Sequence, residues 1–444
     1  MKKLLLAVVL AWFTTFASAE VFQNGQNVCF LGDSITHGGI FHYNVYTYYV
    51  TRFPDRDVRM FNAGVSGDTA GGCQGRLEED VYVKKPDTVF LMFGMNDVGR
   101  GNFSLNPTPE QLARQAGALK NHENNMVRLT QELQKHLPGV TLMYSTPSPY
   151  DDTCVNDRDN NNPGCTAGLA RCGEFAKKLA AENHATLVDF SGPMIALNLE
   201  QQKKDPQFTI VGPDRVHPRQ AGHLMMAYLF LKEQGAPALV SNVALSADGK
   251  ILQAENATVS EVVSENGTLT FTVLENALPY PVNPEAVSVL ELIPFTQDLN
   301  QETLRISGLS KDSYELSIDG KVVGTYTKGE LEAGINLATN ANTPQYAQAQ
   351  QVRLLGDARA ATERILRNYA AVRWYLRRHC NPDDLEAAMA HYNGLQNKNG
   401  YFEAKVPDYV KGWPNRAEVV STLAEQTQAM REAARPVKHV YTIR

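Results

Sequence analysis

The chain has 444 residues, which is longer than one typical domain, so two or three domains are expected. Its net charge is -6 at neutral pH and 43% of its residues are hydrophobic, which is ordinary for a globular protein. The sequence contains no basic stripe and no alternation of basic and aromatic residues, so nucleic-acid binding has no support.

Residues 1–19 have the three parts of a secretory signal peptide. Lys2 and Lys3 form a basic start, residues 4–13 are apolar, and residues 17–19, Ala-Ser-Ala, form a small-residue cleavage site. We therefore expect cleavage after Ala19 and a mature protein that is secreted or periplasmic. No later segment is long and apolar enough to predict a membrane span.

Five short runs in the first half of the chain are predicted to be parallel strands, because they are apolar or β-branched and are bounded by turn residues. They lie near residues 27–31, 57–61, 87–93, 140–145 and 185–189. Helices are predicted between them, most clearly over residues 108–136 and 219–234. Alternating strands and helices indicate one doubly wound α/β domain.

Polar segments follow the first three predicted strands. They are Gly-Asp-Ser-Ile at 32–35, Asn-Ala-Gly-Val-Ser-Gly-Asp-Thr at 62–69 and Gly-Met-Asn-Asp at 94–97. In open parallel sheets the loops at the carboxyl ends of the strands converge on one edge, so Ser34, Gly67 and Asn96 are expected to lie close together. The backbone N–H groups of Ser34 and Gly67 and the amide of Asn96 are the donors that an oxyanion hole for acyl transfer needs.

A fourth segment, Asp-Arg-Val-His at 214–217, offers the base that a serine nucleophile needs. A serine hydroxyl is a weak nucleophile until a neighbouring base takes its proton, and a histidine held by a carboxylate is the usual base. We therefore predict Ser34 as the nucleophile, His217 as the base and Asp214 as the partner of His217. The chain has no Gly-x-Ser-x-Gly elbow, which disfavours the other large class of esterases.

In this order the four segments resemble the four sequence blocks of the SGNH (GDSL) hydrolase superfamily. The resemblance covers roughly residues 25–235, about half of the chain, and the four blocks together are highly specific. It implies a flavodoxin-like three-layer α/β fold with Ser34, Asp214 and His217 as the catalytic residues. By the same matching, Gly67 and Asn96 join the Ser34 amide in the oxyanion hole, and no block departs from the pattern at a catalytic position.

Other polar residues of these segments are expected to support the site. Asp33, Asn62, Asp68 and Asp97 are predicted to fix the loops by hydrogen bonding to backbone amides. His37 lies three residues beyond Ser34, but His217 already fills the role of base. We therefore expect His37 to be a loop or rim residue.

The six cysteines are consistent with an oxidising compartment. Cys154 and Cys165 flank a polar loop, residues 155–164, that must otherwise be held by very little, so we predict a disulfide between them. Cys165 with Cys172 is the competing pairing. No cysteine–histidine cluster has the spacing of metal ligands, so neither a metal nor another cofactor is expected.

The sequence pattern changes after about residue 236. Residues 240–328 alternate polar and apolar residues, and Ile-Asp-Gly-Lys at 318–321 is a strong hairpin signal, which together predict a small antiparallel β module. From residue 344 onward the composition predicts helices. The predicted division is a hydrolase domain over 20–235, a β-rich accessory module over 236–335 and a helical C-terminal region over 336–444.

These features predict a secreted serine esterase that acts through an acyl-enzyme on an acylated small molecule or polysaccharide. By resemblance to secreted multi-domain bacterial members of the superfamily, a carbohydrate O-acetylesterase is the first expectation. Lipid esterase, lysophospholipase and thioesterase activities are alternatives, although the chain has no long apolar lid segment. A non-catalytic carbohydrate-binding or structural protein is the alternative from another class, and the complete set of catalytic residues argues against it. No oligomeric state is predicted.

Overall fold

The structure is a computed structural model that describes residues 20–156 and 159–444. The predicted signal peptide at residues 1–19 lies outside the described residues, so its cleavage stays a prediction.

A parallel sheet forms the centre of the first half of the chain. Its strands are β1 Asn27–Gly32, β2 Arg59–Gly64, β3 Thr88–Met92, β4 Thr141–Ser145 and β5 Thr186–Val188. They lie in the order β2-β1-β3-β4-β5, and every neighbouring pair is parallel. This is the strand order of flavodoxin-like doubly wound sheets, in which the order reverses between β1 and β3. The prediction of an α/β domain with a parallel sheet is confirmed.

Helices cover both faces of this sheet. They are α1 Ser34–Gly38, α2 Ile40–Arg52, α3 Leu77–Asp80, α4 Pro109–His136, α5 Cys165–Glu182, α6 Ser191–Gln202 and α7 Gln220–Glu233. Alternate side chains of a strand point to opposite faces. Phe30 of β1 therefore packs with residues of α2 and α7, whereas its neighbour Leu31 packs with residues of α4 and α5.

The bounds of α4 follow from its local sequence. The Thr108 hydroxyl accepts the N–H of Gln111, and the Gln111 side chain accepts the N–H of Thr108, which together form a capping box. Pro109 takes the first helical position, where its missing N–H is not needed. The helix ends shortly before Gly139, whose φ of 83° lies in the left-handed region.

Two further sheets are built from the second half of the chain. Their strands are β6 Leu239–Ser246, β7 Ile251–Glu255, β8 Ala257–Glu265, β9 Thr268–Glu275, β10 Gln301–Ser307, β11 Ser313–Ile318, β12 Lys321–Thr327, β13 Ile335–Asn336 and β14 His439–Ile443. One sheet has the order β13-β10-β6-β7 and the other β12-β11-β14-β9-β8. Apolar side chains of both sheets share one core.

This β-rich part differs from the predicted antiparallel module in two respects. Strand β10 pairs parallel with β6, and the long connection that such a pair needs contains β7, β8 and β9. Strand β14 lies between β11 and β9, so the segment after the last long helix belongs to the β sheet and not to the helical region. The hairpin is confirmed: β11 and β12 are joined through Asp319 and Gly320, both with positive φ.

The remaining helices include a long pair. They are α8 Phe295–Leu299, α9 Lys328–Ala333, α10 Pro344–Leu376, α11 Leu385–Gly394, α12 Val406–Gly412 and α13 Arg416–Ala433. Helix α10 packs along α13 and also contacts α2 and β2 of the α/β domain. The helical region therefore lies against the end of β2, where one of the predicted site loops begins. Among the helices that the structure describes, none combines the length and apolar composition needed to cross a bilayer.

Candidate active site

Ser34, His217 and Asp214 form a continuous chain of hydrogen bonds. Ser34 Oγ lies 2.7 Å from His217 Nε2, although 183 positions separate the two residues in the sequence. His217 Nδ1 lies 2.6 Å from Asp214 Oδ2. The three side chains that the sequence singled out as catalytic are therefore brought together at the carboxyl edge of the parallel sheet.

Because Asp214 lies three residues before His217, its carboxylate can bind both the backbone of the turn and the imidazole ring. Asp214 Oδ1 accepts the backbone N–H groups of Val216, at 3.1 Å, and His217, at 2.9 Å, while Oδ2 receives the imidazole. Burial alone would raise the pKa of the Asp214 carboxyl, but the hydrogen bonds to His217 and the backbone hold that pKa well below its usual range. Asp214 is thus a carboxylate that fixes the turn and orients the ring of His217.

The start of α1 places Ser34 at the end of β1. The Asp33 side chain accepts the N–H of Ile35 at 3.0 Å and caps the helix. Asp33 is buried, and this burial raises the pKa of its carboxyl to about 7. Gly32 leaves no room for a side chain, since an added Cβ would lie 2.7 Å from the carbonyl oxygen of Met92. Each residue of Gly-Asp-Ser therefore has its own reason: Gly32 fits beside Met92, Asp33 caps the helix, and Ser34 faces His217.

The loops that carry the predicted oxyanion donors are tied to each other. Asn96 Nδ2 donates to the carbonyl oxygen of Asp68 at 2.9 Å, and Val65 N–H donates to the carbonyl oxygen of Gly32 at 3.1 Å. Gly67 has a φ of 75°, a conformation that favours glycine, and it lies exposed at the site. The Asn96 amide carries a second N–H beyond the one that Asp68 accepts, and this is the group that an oxyanion can use.

Asp97 fixes two of these loops. Its carboxylate accepts the N–H groups of Gly94 at 3.0 Å and Ala70 at 2.9 Å, and Oδ1 lies 3.2 Å from His122 Nδ1. Burial alone would lower the pKa of His122, but the adjacent side chains of Asp97 and Cys172 raise it to about 10. A protonated His122 therefore stabilises the carboxylate of Asp97, which holds the loop that carries Asn96.

Asn62 and Asp68 also bind backbone amides, as Asp33 and Asp97 do. Asn62 Oδ1 accepts the N–H of Gly64 at 2.9 Å. Asp68 Oδ1 accepts the N–H of Thr69 at 2.9 Å, and its other oxygen accepts the buried Arg76 guanidinium at 2.8 Å. All four residues therefore make the kind of backbone contact that the sequence analysis expected.

His37 is buried within the structure and does not stand at the rim. Its Nδ1 accepts the N–H of Ser66 at 3.1 Å, which joins α1 to the loop after β2. Burial lowers the pKa of His37 to about 3, so the ring is neutral and can accept this bond.

Arg215 is a residue of the site whose role the sequence analysis missed. Its φ of 64° is unusual for a residue with a side chain. Its Nη1 donates to the carbonyl oxygens of Asp151 at 2.9 Å and Cys154 at 2.7 Å, and its own carbonyl accepts the N–H of Asp151 at 3.0 Å. The segment after β4 is thereby fastened to the segment that carries Asp214 and His217. The sequence holds no signal for these contacts, because the partners lie about sixty residues apart.

The predicted disulfide between Cys154 and Cys165 is wrong for this structure, in which all six cysteines are free. Cys154 Sγ contacts the carbonyl oxygen of Gln207 at 3.3 Å, and Cys165 packs in an apolar cluster at the start of α5. The competing pair of Cys165 and Cys172 is likewise unbonded.

The premise behind that disulfide also failed, because hydrogen bonds hold the loop. Tyr150 Oη donates to Asn160 Oδ1 at 2.9 Å, Thr166 Oγ1 donates to the Tyr150 carbonyl at 2.6 Å, and Asp152 accepts the Thr166 N–H at 2.9 Å.

The C-terminal helical region buries charged groups against the loop after β2. Arg367 of α10 donates through Nη2 to the Gly64 carbonyl at 2.7 Å and to Asp80 Oδ2 at 2.8 Å. Glu363, one turn earlier, accepts the N–H of Asn62 at 3.3 Å. The helical region is thus part of the scaffold that positions the loop of Gly67.

The fold and the site together define an α/β ester hydrolase in which the serine follows the first strand of a parallel sheet. Residues 30–225 match the GDSL-like Lipase/Acylhydrolase family. The chain belongs to this family and is a carboxylic ester hydrolase.

Relatives match either half of the chain or nearly all of it. An acetylxylan esterase from Geobacillus stearothermophilus is 29% identical over 227 residues, which cover 48% of this chain and 95% of that protein. A crystal structure of an acetylxylan esterase from the same organism is 27% identical, covers 48% of this chain and 95% of that one, and gives a TM-score of 0.38. The structure of a gut microbial diltiazem-metabolizing enzyme is 31% identical, covers 96% of this chain and 99% of that one, and gives a TM-score of 0.89. The later β-rich and helical parts are therefore shared with a solved structure.

Proposed function

We propose that this protein is a serine esterase that forms an acyl-enzyme on Ser34. The observation that carries the proposal is the chain of hydrogen bonds from Ser34 Oγ through His217 to Asp214. His217 Nε2 takes the proton of Ser34 as Oγ attacks the acyl carbon. The oxyanion that forms is stabilised by the N–H groups of Ser34 and Gly67 and by the amide of Asn96.

The tetrahedral intermediate then breaks down to the acyl-enzyme, and water hydrolyses the acyl-enzyme in a second step. The bond between the acyl carbon and the alcohol oxygen breaks, and His217 returns the proton to the leaving alcohol. Water next attacks the acyl carbon and gives a proton to His217, which passes it to Ser34 Oγ as the carboxylic acid leaves. Asp214 stays ionised throughout and stabilises the imidazolium form of His217.

Covalent labelling together with kinetics tests this assignment. A fluorophosphonate probe is expected to label Ser34, and Ser34→Ala is expected to lose the label and to lower hydrolysis of p-nitrophenyl acetate by several orders of magnitude. Ser104→Ala is the matched control, since the Ser104 hydroxyl donates to Gln111 at the start of α4. A label on another residue, or unchanged hydrolysis by Ser34→Ala, overturns the proposal.

For the substrate, we propose an O-acetylated carbohydrate. The support is the similarity to an acetylxylan esterase along nearly all of that protein. The His217 side chain is 47% exposed, so a bulky alcohol half can reach the reacting atoms.

A panel of esters distinguishes this substrate from the alternatives. Acetylated xylan, acetylated pectin, acetylated sialic acid and p-nitrophenyl esters of rising chain length are compared by kcat/KM. We expect acetyl esters to be preferred and at least one acetylated carbohydrate to be hydrolysed. A preference for octanoyl or longer chains indicates a lipid esterase, lysophospholipase or thioesterase instead.

We also propose that the protein is exported, on the support of the leader composition of residues 1–19. Expression of the full chain in a bacterial host and amino-terminal sequencing of the product test this. The product is expected to begin at Glu20 in the periplasm or medium, and a cytoplasmic product that begins at Met1 contradicts it.

A further inference from the structure

The connection between α11 and α12 reaches the loop that carries Gly67. Tyr401 Oη accepts a hydrogen bond from Ser66 Oγ at 2.8 Å, and Ser66 directly precedes Gly67. The Ser66 N–H in turn donates to His37, which lies in the short helix that begins with Ser34. Tyr401 is therefore joined by two hydrogen-bond steps to the helix of the nucleophile, from a position more than 300 residues away.

Tyr401 is exposed and yet held in place. It is 48% exposed, which is high for a large aromatic residue. The Lys405 ammonium lies 3.4 Å from the centre of its ring, and Phe402 meets the ring at 5.1 Å with an interplanar angle of 89°. Because the phenol and one side of the ring are fixed, little side-chain entropy remains to be lost when a ligand packs against the exposed part.

The residues that precede Tyr401 in the sequence carry amides, which are groups that can bind hydroxyls. Gln396, Asn397 and Asn399 precede it in the same connection, and all three are exposed. Ser66 Oγ lies 2.8 Å from Tyr401 Oη and 3.3 Å from His37 Nδ1, and the phenol oxygen has a second lone pair that can accept a hydrogen bond. An exposed aromatic ring with a phenol oxygen at its edge matches a sugar ring, which has apolar C–H faces and hydroxyls at its edge.

We propose that Tyr401 forms a carbohydrate subsite beside the reacting ester. The subsite binds a sugar ring of the acetylated oligosaccharide or polysaccharide. This inference therefore rests on the proposed carbohydrate substrate. The acetylxylan esterase relative is covered to 95% by 227 residues, so it has no counterpart for about half of this chain. The subsite is accordingly an addition that the helical region makes to the catalytic domain.

A ratio of two activities tests the subsite. The value of kcat/KM on an acetylated xylo-oligosaccharide is divided by that on p-nitrophenyl acetate. Tyr401→Ala is expected to lower this ratio about tenfold, through KM for the oligosaccharide, and Tyr401→Phe about threefold, because loss of one aromatic contact or one hydrogen bond has effects of this order. Tyr392→Ala is the control, since the Tyr392 ring also lies under a lysine, Lys398, but belongs to α11. This control is expected to keep the wild-type ratio.

Binding without turnover gives a second measurement. In a Ser34→Ala background the oligosaccharide is titrated by calorimetry with and without Tyr401→Ala, and a Kd raised about tenfold is expected from the same contacts. If the wild-type enzyme hydrolyses the acetylated oligosaccharide but Tyr401→Ala leaves both the ratio and the Kd unchanged, the subsite is overturned. A wild-type enzyme that hydrolyses only p-nitrophenyl acetate overturns the carbohydrate substrate itself.

Discussion

Arg215 Nη1 lies 2.7 Å from the carbonyl oxygen of Cys154, so the residue next to Asp214 also holds the loop after β4. The guanidinium is buried, and the backbone of Arg215 is in a conformation that few residues adopt without compensation. The position of Asp214 and His217 therefore depends on a contact with residues outside the segment 214–217.

Arg215→Ala is expected to lower kcat/KM about tenfold or more and to destabilise the protein by about 2 kcal/mol, since hydrogen bonds to a buried charged group contribute on this order. Urea denaturation and p-nitrophenyl acetate hydrolysis measure the two effects. Arg219→Ala, an exposed neighbour, serves as the control. If Arg215→Ala has the kcat/KM and the free energy of unfolding of the wild type, the contact between Arg215 and the loop after β4 has no positioning role.

Asn96→Ala is expected to lower kcat about a hundredfold or more with little change in KM, because an oxyanion donor acts in the transition state. Steady-state kinetics on p-nitrophenyl acetate measure this. Asn102→Ala is a matched control, since Asn102 bonds to the Gly99 carbonyl in the same loop. A near-normal kcat for Asn96→Ala removes it from the oxyanion hole.

His122 predicts a dependence of stability on pH. Its folded pKa, about 10, lies above the unfolded value of 6.5, so its contribution is complete below pH 6.5 and is lost as pH rises through about 10. The free energy of unfolding of His122→Asn is therefore expected to fall short of the wild type by a few kcal/mol at pH 6, at about 1.4 kcal/mol for each pKa unit, and by much less at pH 10. Guanidinium denaturation at several pH values measures the difference, and a constant difference contradicts the assignment.

The buried acids Glu275 and Glu302 predict that the stability of the protein falls as pH rises. Both line a small cavity between the two later sheets, and neither oxygen of Glu302 has a hydrogen-bond partner among the described residues. Burial raises the pKa of Glu275 to about 7 and that of Glu302 well above its ordinary value. Both groups thus bind protons more tightly when folded, and stability is lost as pH rises through those values.

Glu302→Gln removes one of these buried ionisations while it keeps the side-chain volume. It is expected to raise the melting temperature at pH 9 by several degrees relative to the wild type and to have a smaller effect at pH 5. Differential scanning calorimetry at the two pH values measures this. A larger gain at pH 5 than at pH 9 contradicts the predicted protonation.

Local patterns predicted the first half of the fold well. The five strands and the helices α4 and α7 were predicted from apolar runs bounded by turn residues, which act within a few residues. Ser34, Gly67 and Asn96 were expected to lie close together because parallel strands bring their carboxyl ends to one edge. Asp214 and His217 were assigned instead from the base that a serine nucleophile needs and from the resemblance of the four segments to a known superfamily.

Contacts between distant residues could not be predicted in this way. Arg215 and Tyr401 bind partners that lie roughly sixty and more than three hundred positions away, and no spacing rule connects them. The disulfide prediction failed because it treated the loop between Cys154 and Cys165 as unsupported, whereas Asp152 and Tyr150 hold it by hydrogen bonds. The parallel pair of β6 and β10 was missed because alternation of polar residues does not distinguish parallel from antiparallel partners.

The central position of β14 has a consequence for how this molecule assembles. Residues 328–438 are synthesised between β12 and β14, so β9 and β11 present open edges until the polypeptide supplies the strand that fills the gap. Closure over so long a loop is slow, and exposed edges of this kind favour association with other chains. A nascent or truncated polypeptide without residues 439–443 is therefore the species most prone to aggregate.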